Sequence, residues 1–370
     1  MTAPRSAPTG AMPDTAPGYM VHLDGIRAFA VGAVILEHWA SGLPGSIRWA
    51  VERLDLGGWG VECFFVLSGF LITLILLQAR DTQSSFRTAI GHFYARRALR
   101  IFPAYYLVLA VAALTSPAMR EVGWWHVFYL GNLYPLAHDT FTPAGGHFWT
   151  LAVEEQFYMF WPLVVLLAPL HRLPMLALLL CVLGPLSRYV LWQVMDGVHL
   201  SMWTFPTTAL DLLAFGAFLA IAKHQRKLQL GDRFVRGILW AGLAAAPLYL
   251  VAFAMGRHTG EFVVVGRSLA ALVFGALVLR ASFGFNGAGH WILGNKLVVW
   301  VGMLSYGLYL IHPFIPGLYL ALLLALGLPP GVWGMYYIRF PLLTVLLLLI
   351  TMASFYLWER PIRNYRRLLT

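Results

Sequence analysis

The chain has 370 residues, of which 59% are hydrophobic and only 11% are charged, and its mean hydropathy is +0.71. Apolar runs of about 20 residues recur along most of it, which excludes an ordinary soluble domain and predicts an all-α polytopic integral membrane protein. The net charge of +10 does not indicate nucleic-acid binding, because the basic residues cluster between apolar runs and no nucleic-acid motif accompanies them.

Residues 1–20 are rich in Ala, Pro, Ser, Thr and Gly and lack the apolar core of a signal peptide, so we expect a disordered tail before one membrane domain over residues 21–370. The stretch 124–136 is apolar and aromatic but too short to span easily, and is expected to lie at the interface or to dip into it. The longer apolar runs predict ten transmembrane helices, at residues 22–41, 60–79, 97–115, 148–169, 173–194, 203–222, 234–255, 261–281, 297–325 and 335–358.

The distribution of basic residues predicts the orientation of these spans. With ten spans and a cytoplasmic N-terminus, seventeen Lys and Arg residues fall on the inner side and four on the outer side. Both termini are then cytoplasmic. Cys63 and Cys181 lie inside apolar runs without metal-ligand or disulfide spacing, so no metal site is expected.

The first span carries Asp24 and Arg27 near its start and Glu37 and His38 near its end. An ionisable side chain within a membrane span costs at least a few kcal/mol, so it usually faces a polar cavity and marks function. Arg27 and His38 are eleven residues apart, which separates them by roughly 16 Å along a helix. The alternatives are that Arg27 snorkels or pairs with Asp24, and that His38 is a structural histidine.

Acidic and histidine side chains of other spans are predicted at the depth of His38. Glu62 lies near the outer end of the second span, Glu154 and Glu155 lie about two turns inside the fourth, and His312 lies in the outer half of the ninth. The alternatives are interfacial solvation for the two adjacent glutamates and, for His312, hydrogen bonding to backbone freed by the following proline.

This convergence suits proton chemistry, because a general base needs an imidazole poised near neutral pH and a second group that orients it. We expect Glu62 or Glu154, from neighbouring helices, to orient His38. Glu37 cannot easily do so, since adjacent helical residues point about 100° apart. Asp211, in the middle of the sixth span, is expected to have a partner inside the protein.

Three arginines mark the inner side, where a cytoplasmic loop becomes the third span: Arg96, Arg97 and Arg100. Guanidinium groups bind phosphate through paired hydrogen bonds, and Arg27 is predicted at the same membrane face. The alternative is that these arginines only determine topology.

Seven segments in the same order resemble the acyltransferase 3 family of bacterial integral-membrane acyltransferases. They are LDGIRAFAV (23–31), GGWGVECFFVLSGFLIT (57–73), FYARRALRIFPAYY (93–106), HFWTLAVEEQFYMFWP (147–162), LDLLAFGAFLA (210–220), SYGLYLIHPF (305–314) and ERPIRN (359–364).

The resemblance implies a membrane enzyme that transfers an acyl group, usually acetyl from cytoplasmic acetyl-CoA, to a hydroxyl of a cell-surface or exported glycan. It matches Arg27 and His38 to the family's arginine and histidine, the three arginines to its arginine motif, and Glu359 to its C-terminal acidic residue. Many relatives carry an arginine just before the Asp211 position, where this chain has threonines. A location in the bacterial inner membrane is expected.

The resulting hypothesis places the nucleotide end of acetyl-CoA at the arginines and the thioester at His38, which acts as general base or as the nucleophile of an acyl-imidazole. Some relatives append an SGNH-type domain that is not seen here, so acceptor specificity is expected to come from the membrane domain or from glycan-assembly partner proteins. The alternatives are acyl transfer to a small molecule such as a macrolide or a lipid, a transporter or flippase of a lipid-linked sugar, and a membrane scaffold.

Overall fold

The computed structural model describes residues 19–83, 85–256 and 259–365, and within these ranges every regular element is helical, which confirms the all-α class. Residues 1–18 of the predicted tail lie outside the described residues, as do Arg257, Arg366 and Arg367 of the charge count. The helices are α1 (Val21–His38), α2 (Gly45–Leu54), α3 (Leu56–Thr82), α4 (Phe86–Thr115), α5 (Pro117–Val127), α6 (Tyr134–His138), α7 (Trp149–Leu167), α8 (Leu173–Val194), α9 (Ser201–Thr204), α10 (Leu210–Arg226), α11 (Arg233–Gly256), α12 (Gly260–Ala281), α13 (Gly287–Leu293), α14 (Lys296–Ile311), α15 (Ile315–Ala325), α16 (Pro330–Trp333), α17 (Tyr336–Ala353) and α18 (Arg360–Asn364).

Nine helical stretches of the described chain are long and apolar enough to cross a membrane, and each matches a predicted span. The remaining predicted span, 22–41, is the first in the chain and corresponds to α1, which is helical over 18 residues. Its three charged residues, Asp24, Arg27 and Glu37, make it more polar than the other nine. It nevertheless packs against α3 and α14, with Asp24 buried and Arg27 and Glu37 half-buried.

The predicted ninth span, 297–325, is not one continuous helix. Helix α14 ends at Ile311, a single 3₁₀ turn covers His312–Phe314, and α15 begins at Ile315. Pro313 explains the break, because proline lacks an amide donor and its ring disfavours a continuous α-helix. The break leaves carbonyl groups near the end of α14 that the side chain of His312 can bond.

The stretch 124–136 is folded as two short helices joined by a turn, and neither is long enough to span a bilayer. Helix α5 ends at Val127 and α6 begins at Tyr134. Between them, the side-chain amides of Asn132 and Gln156 exchange two hydrogen bonds of 3.0 Å. This exchange fastens the turn to α7.

Close backbone contacts fix the positions of the central helices. A Cβ atom on Gly69 of α3 would come within 1.8 Å of the Leu213 carbonyl oxygen of α10, and one on Gly302 of α14 would come within 1.9 Å of the Asp24 carbonyl oxygen of α1. Small residues let helices in a membrane approach until their backbones touch. The contact at Gly302 sets the depth of α1 against α14, and so places Arg27 beside the site described next.

Candidate active site

A cavity of about 870 Å³, open mouth included, lies among α1, α3, α4, α7 and α14. Its polar lining consists of Arg27, Ser68, Arg97, Arg100, Thr150, Glu154, Glu155, Tyr158, Ser305, Tyr306 and Tyr309. Four residues that the sequence predicted from three separate segments, Arg27, Arg97, Arg100 and Glu154, therefore share one cavity.

The arginines of the cavity differ in how far they are neutralised. Arg27 donates to Asp24 at 2.6 Å, and Tyr19 also donates to that carboxylate. Arg97 pairs with Glu155 at 3.2 Å and its guanidinium lies 3.3 Å from the centre of the Tyr158 ring. Among the described residues, no carboxylate lies within ion-pair distance of Arg100. Arg100 is therefore the cation of this cavity that is left for a ligand.

Arg96 and Glu359, which were predicted with this group, do not line the cavity. Glu359 is buried at the end of the π-helical turn Ser354–Glu359 and accepts a hydrogen bond from Ser354 Oγ at 3.1 Å. Arg96 directly precedes Arg97 on α4 but does not line the cavity. Its position agrees with the topological alternative, whereas Arg97 and Arg100 point into the cavity.

A cluster of histidines lies beyond the far end of the cavity. His38 Nδ1 is 3.1 Å from His312 Nε2 and 3.0 Å from the Val34 carbonyl oxygen, and the ring centres of His147 and His312 are 5.5 Å apart. His312 is completely buried and His38 is exposed. No group of three or more His, Cys, Asp or Glu side chains in the described chain is arranged to hold a metal ion.

The hydrogen bonds of the His38–His312 pair assign its protons. His312 Nδ1 lies 2.7 Å from the Tyr309 carbonyl oxygen, which can only accept, so Nδ1 carries the proton and Nε2 is an acceptor. The Val34 carbonyl oxygen can also only accept, so His38 Nδ1 carries a proton. The same N–H group is within hydrogen-bond distance of His312 Nε2, which accepts. Both constraints agree, and they leave His38 Nε2 with a free lone pair.

The carboxylates that were expected to orient His38 have other partners. Glu62 accepts from the Tyr249 hydroxyl at 3.1 Å and lies 3.8 Å from the Arg267 guanidinium, while Glu154 accepts from Ser68 Oγ at 2.5 Å. The orienting group is instead His312, because the break after α14 places its ring against His38. The alternative role for His312, hydrogen bonding to backbone carbonyl oxygens, is also present, but the ring contacts His38 as well.

Two further predicted residues have structural partners. Glu37 accepts a hydrogen bond of 2.7 Å from the amide of Gly57, which joins α1 to α3. Asp211 forms a two-point ion pair with the fully buried Arg188, with N–O distances of 3.0 and 2.6 Å, and also accepts from Ser268 at 2.6 Å. The partner that was expected for Asp211 is thus Arg188 of α8.

The cavity and the histidine cluster are separated by two hydroxyl side chains. The hydroxyl oxygens of Thr150 and Tyr309 are 2.7 Å apart, and both lie within hydrogen-bond distance of the His147 carbonyl oxygen, at 3.2 and 3.1 Å. Both residues line the cavity. Neither His38 nor His312 is among the described residues of the lining, so the cavity extends towards the histidines only as far as Thr150 and Tyr309.

His126 adds a buried imidazole outside the spans. Its ring lies 5.2 Å from that of Phe148, and its Nε2 is 2.9 Å from the Ala144 carbonyl oxygen. Burial lowers the pKa of this side chain below its ordinary value of 6.5. His126 is therefore held neutral, as a packing group beneath the histidine cluster.

Sequence reasoning did not single out His147, Thr150, Tyr309, Arg188 or Arg267. Arg188 and Arg267 carried a usable signal, since each is a charge inside a long apolar run and such charges seek partners within the protein. His147 and Tyr309 lie inside segments that carried the family resemblance, but nothing in their spacing distinguished them from packing residues.

Comparison with known proteins gives a family for this arrangement. A family model described as an acyltransferase domain matches residues 20–359. The chain is 29% identical over 321 residues to the peptidoglycan O-acetyltransferase OatA of Listeria monocytogenes, covering 80% of this chain and 49% of that protein. It is 28% identical over 326 residues to the O-acetyltransferase OatA of Staphylococcus aureus, covering 80% and 50%. The chain thus spans about half the length of these relatives. No solved structure matches it.

Proposed function

Because the chain belongs to the acyltransferase 3 family, we propose that it transfers an acyl group, most simply acetyl, from cytoplasmic acyl-CoA to a hydroxyl of a cell-surface or exported glycan. Membership of this family makes it a multi-pass membrane acyltransferase. The glycan acceptor is taken from its relatives, one of which is a peptidoglycan O-acetyltransferase. The bacterial inner membrane, with both termini in the cytoplasm, is the location that fits a cytoplasmic donor.

The cavity supplies the features that an acyl-CoA donor needs. Arg27, Arg97 and Arg100 all line the cavity, and guanidinium groups bind phosphate through paired, charge-assisted hydrogen bonds. Farther in, the wall is apolar, with Phe64 and Leu151 beside the path that a pantetheine arm would follow. The roughly 16 Å between the depths of Arg27 and His38 is comparable with the reach of that arm.

The observation that carries the proposal is the hydrogen-bond geometry of the His38–His312 pair. With its Nδ1 proton held by Val34 O and His312 Nε2, His38 presents a bare Nε2 to an acceptor hydroxyl. That is the tautomer a general base requires. As the hydroxyl oxygen attacks the thioester carbonyl carbon, Nε2 takes the hydroxyl proton. The C–S bond then breaks, and the proton passes to the leaving sulfur to give the ester and free CoA.

Donor and acceptor approach His38 from opposite directions. The acyl-CoA cavity ends at Tyr309, whose ring centre is 5.7 Å from that of His312, and the His312 ring centre is 4.9 Å from that of His38. His38 is itself exposed at the other end of α1, where an acceptor can reach it. A thioester held in the cavity therefore has to pass Tyr309 to reach His38.

The test is incubation of the purified protein with radiolabelled acetyl-CoA, with and without a bacterial envelope extract. We expect label in the extract with the wild-type protein, and a loss of about 10²-fold or more with His38→Ala. His138→Ala, which changes an exposed histidine on α6, is the matched control. Near-normal transfer by His38→Ala would remove the assignment. Translocation of an unmodified lipid-linked sugar without need of acetyl-CoA would instead favour the transporter.

A further inference from the structure

A thioester held in the cavity needs a donor for the negative charge that develops on its carbonyl oxygen. Preorganised donors at such a position are often the largest single contribution to catalysis of acyl transfer. Several hydroxyls of the lining already have fixed acceptors: Ser68 donates to Glu154, and Tyr306 donates to the Ile101 carbonyl oxygen at 3.0 Å. Both are therefore occupied in holding the cavity together.

The hydroxyls of Thr150 and Tyr309 differ from those of Ser68 and Tyr306, because the two share one acceptor. Both hydroxyls lie within hydrogen-bond distance of one carbonyl oxygen, that of His147, as well as of each other. Each hydroxyl has one proton. If Thr150 donates to His147 O, that buried carbonyl stays satisfied and the proton of Tyr309 is free to turn towards the cavity.

The position of Tyr309 in the cavity also suits a donor to the thioester oxyanion. Ser305, a further hydroxyl of α14 in the lining, is one turn earlier and so about 6 Å farther from His312 along the helix axis. Tyr309 forms the end of the cavity nearest the histidines, with its ring 5.8 Å from that of His147 and 5.7 Å from that of His312. A thioester that reaches His38 must pass this hydroxyl.

We propose that the Tyr309 hydroxyl donates the hydrogen bond that stabilises the oxyanion of the acyl transfer, and that Thr150 is a positioning residue which holds the His147 carbonyl while Tyr309 turns. The inference rests on the proposed function. In the step, the carbonyl π electrons move onto oxygen as the acceptor oxygen bonds to carbon. They return as the C–S bond breaks, so Tyr309 donates a hydrogen bond without losing its proton.

The test compares initial rates of label transfer from acetyl-CoA to the envelope extract. Tyr309→Phe keeps the ring and removes the hydroxyl, and we expect kcat to fall about 10²-fold while the KM for acetyl-CoA changes by less than about threefold. Tyr319→Phe is the control, because it removes a tyrosine hydroxyl from α15, outside the cavity, where its partner is the Trp333 carbonyl oxygen. A monodisperse protein with an unchanged melting temperature shows that each variant is folded.

Thr150→Val distinguishes positioning from direct participation. We expect it to lower kcat less than Tyr309→Phe does, and the double variant to be no slower than Tyr309→Phe alone, because Thr150 acts through Tyr309. If the double variant loses kcat by the product of the two single losses, the positioning role of Thr150 is wrong. Wild-type kcat in Tyr309→Phe, or a rise in KM that accounts for the whole loss, would overturn the role of Tyr309. If the wild-type protein transfers no label, it is the proposed function that fails.

Discussion

Nδ1 of His38 and Nε2 of His312 are 3.1 Å apart, although the two residues are separated by 274 positions in the chain. Two backbone carbonyl oxygens, those of Val34 and Tyr309, each fix one proton of the pair. A histidine thus orients a histidine, in the place where many enzymes use a carboxylate. Because the orienting group is neutral, it sets the tautomer without adding a negative charge inside the membrane.

His312→Ala removes the ring that holds the His38 tautomer, and we expect kcat to fall about 10²-fold with little change in the KM for acetyl-CoA. The reason is that His38 Nδ1 keeps only the Val34 carbonyl as a partner and its ring is free to rotate. Steady-state transfer of label from acetyl-CoA measures both constants. A proportional rise in KM would show that His312 acts in donor binding instead.

Arg100→Gln removes the guanidinium of the cavity that has no carboxylate partner among the described residues. We expect the KM for acetyl-CoA to rise about tenfold, with kcat largely retained, because a charge-assisted contact to phosphate contributes about 1.5–3 kcal/mol before solvent screening. Arg96→Gln, which changes an arginine of the same helix that does not line the cavity, is the matched control. Equal effects of both substitutions on the KM would indicate that these arginines only determine topology.

Arg188→Met leaves Asp211 without its ion-pair partner in the interior. Breaking one half of a buried pair costs about 3–5 kcal/mol, so we expect a large fall in melting temperature and in the yield of folded protein. The double variant Arg188→Met/Asp211→Leu removes both charges and should recover much of that loss. Arg48→Gln, at the exposed pair with Glu52, should change stability by less than about 1 kcal/mol. A double variant as unstable as the single one would contradict this account.

Gly69→Ala places a Cβ atom 1.8 Å from the Leu213 carbonyl oxygen, so α3 and α10 must separate. We expect loss of the folded protein, measured as the monodisperse fraction after size-exclusion chromatography. Gly91→Ala adds the same atom to α4 where no other group lies within 4 Å, and should be tolerated. Normal folding of Gly69→Ala would mean that the crossing of α3 and α10 is looser than described.

His126 predicts a pH dependence of stability. Burial lowers its pKa in the folded protein below 6.5, so the folded state resists a proton that the unfolded state accepts. The contribution of the neutral His126 to stability is therefore fully present above the pKa of the unfolded state, and it is lost as the pH falls below about 6.5. The change in melting temperature between pH 7.5 and pH 5.5 should therefore differ between the wild type and His126→Gln. The wild type should lose more, and parallel slopes would contradict the prediction.

The sequence by itself determined the class of the protein, the positions of its long apolar helices and three arginines that line the cavity. These follow from properties that each segment carries alone. An apolar run of about 20 residues partitions into a bilayer wherever it occurs, and an arginine near its end indicates a membrane face. Arg27, Arg97 and Arg100 were therefore predicted together, and the structure places all three on one cavity.

Only the tertiary structure decided which polar groups are partners. Depth in the membrane follows from sequence position, but the rotation of each helix and the distance to its neighbours depend on packing between distant segments. Thus Glu62 was predicted at the depth of His38, yet it turns towards Arg267 and Tyr249. The break at Pro313 brings His312 to His38 instead, because the turn of the chain, and not the depth of a residue, decides where its ring points.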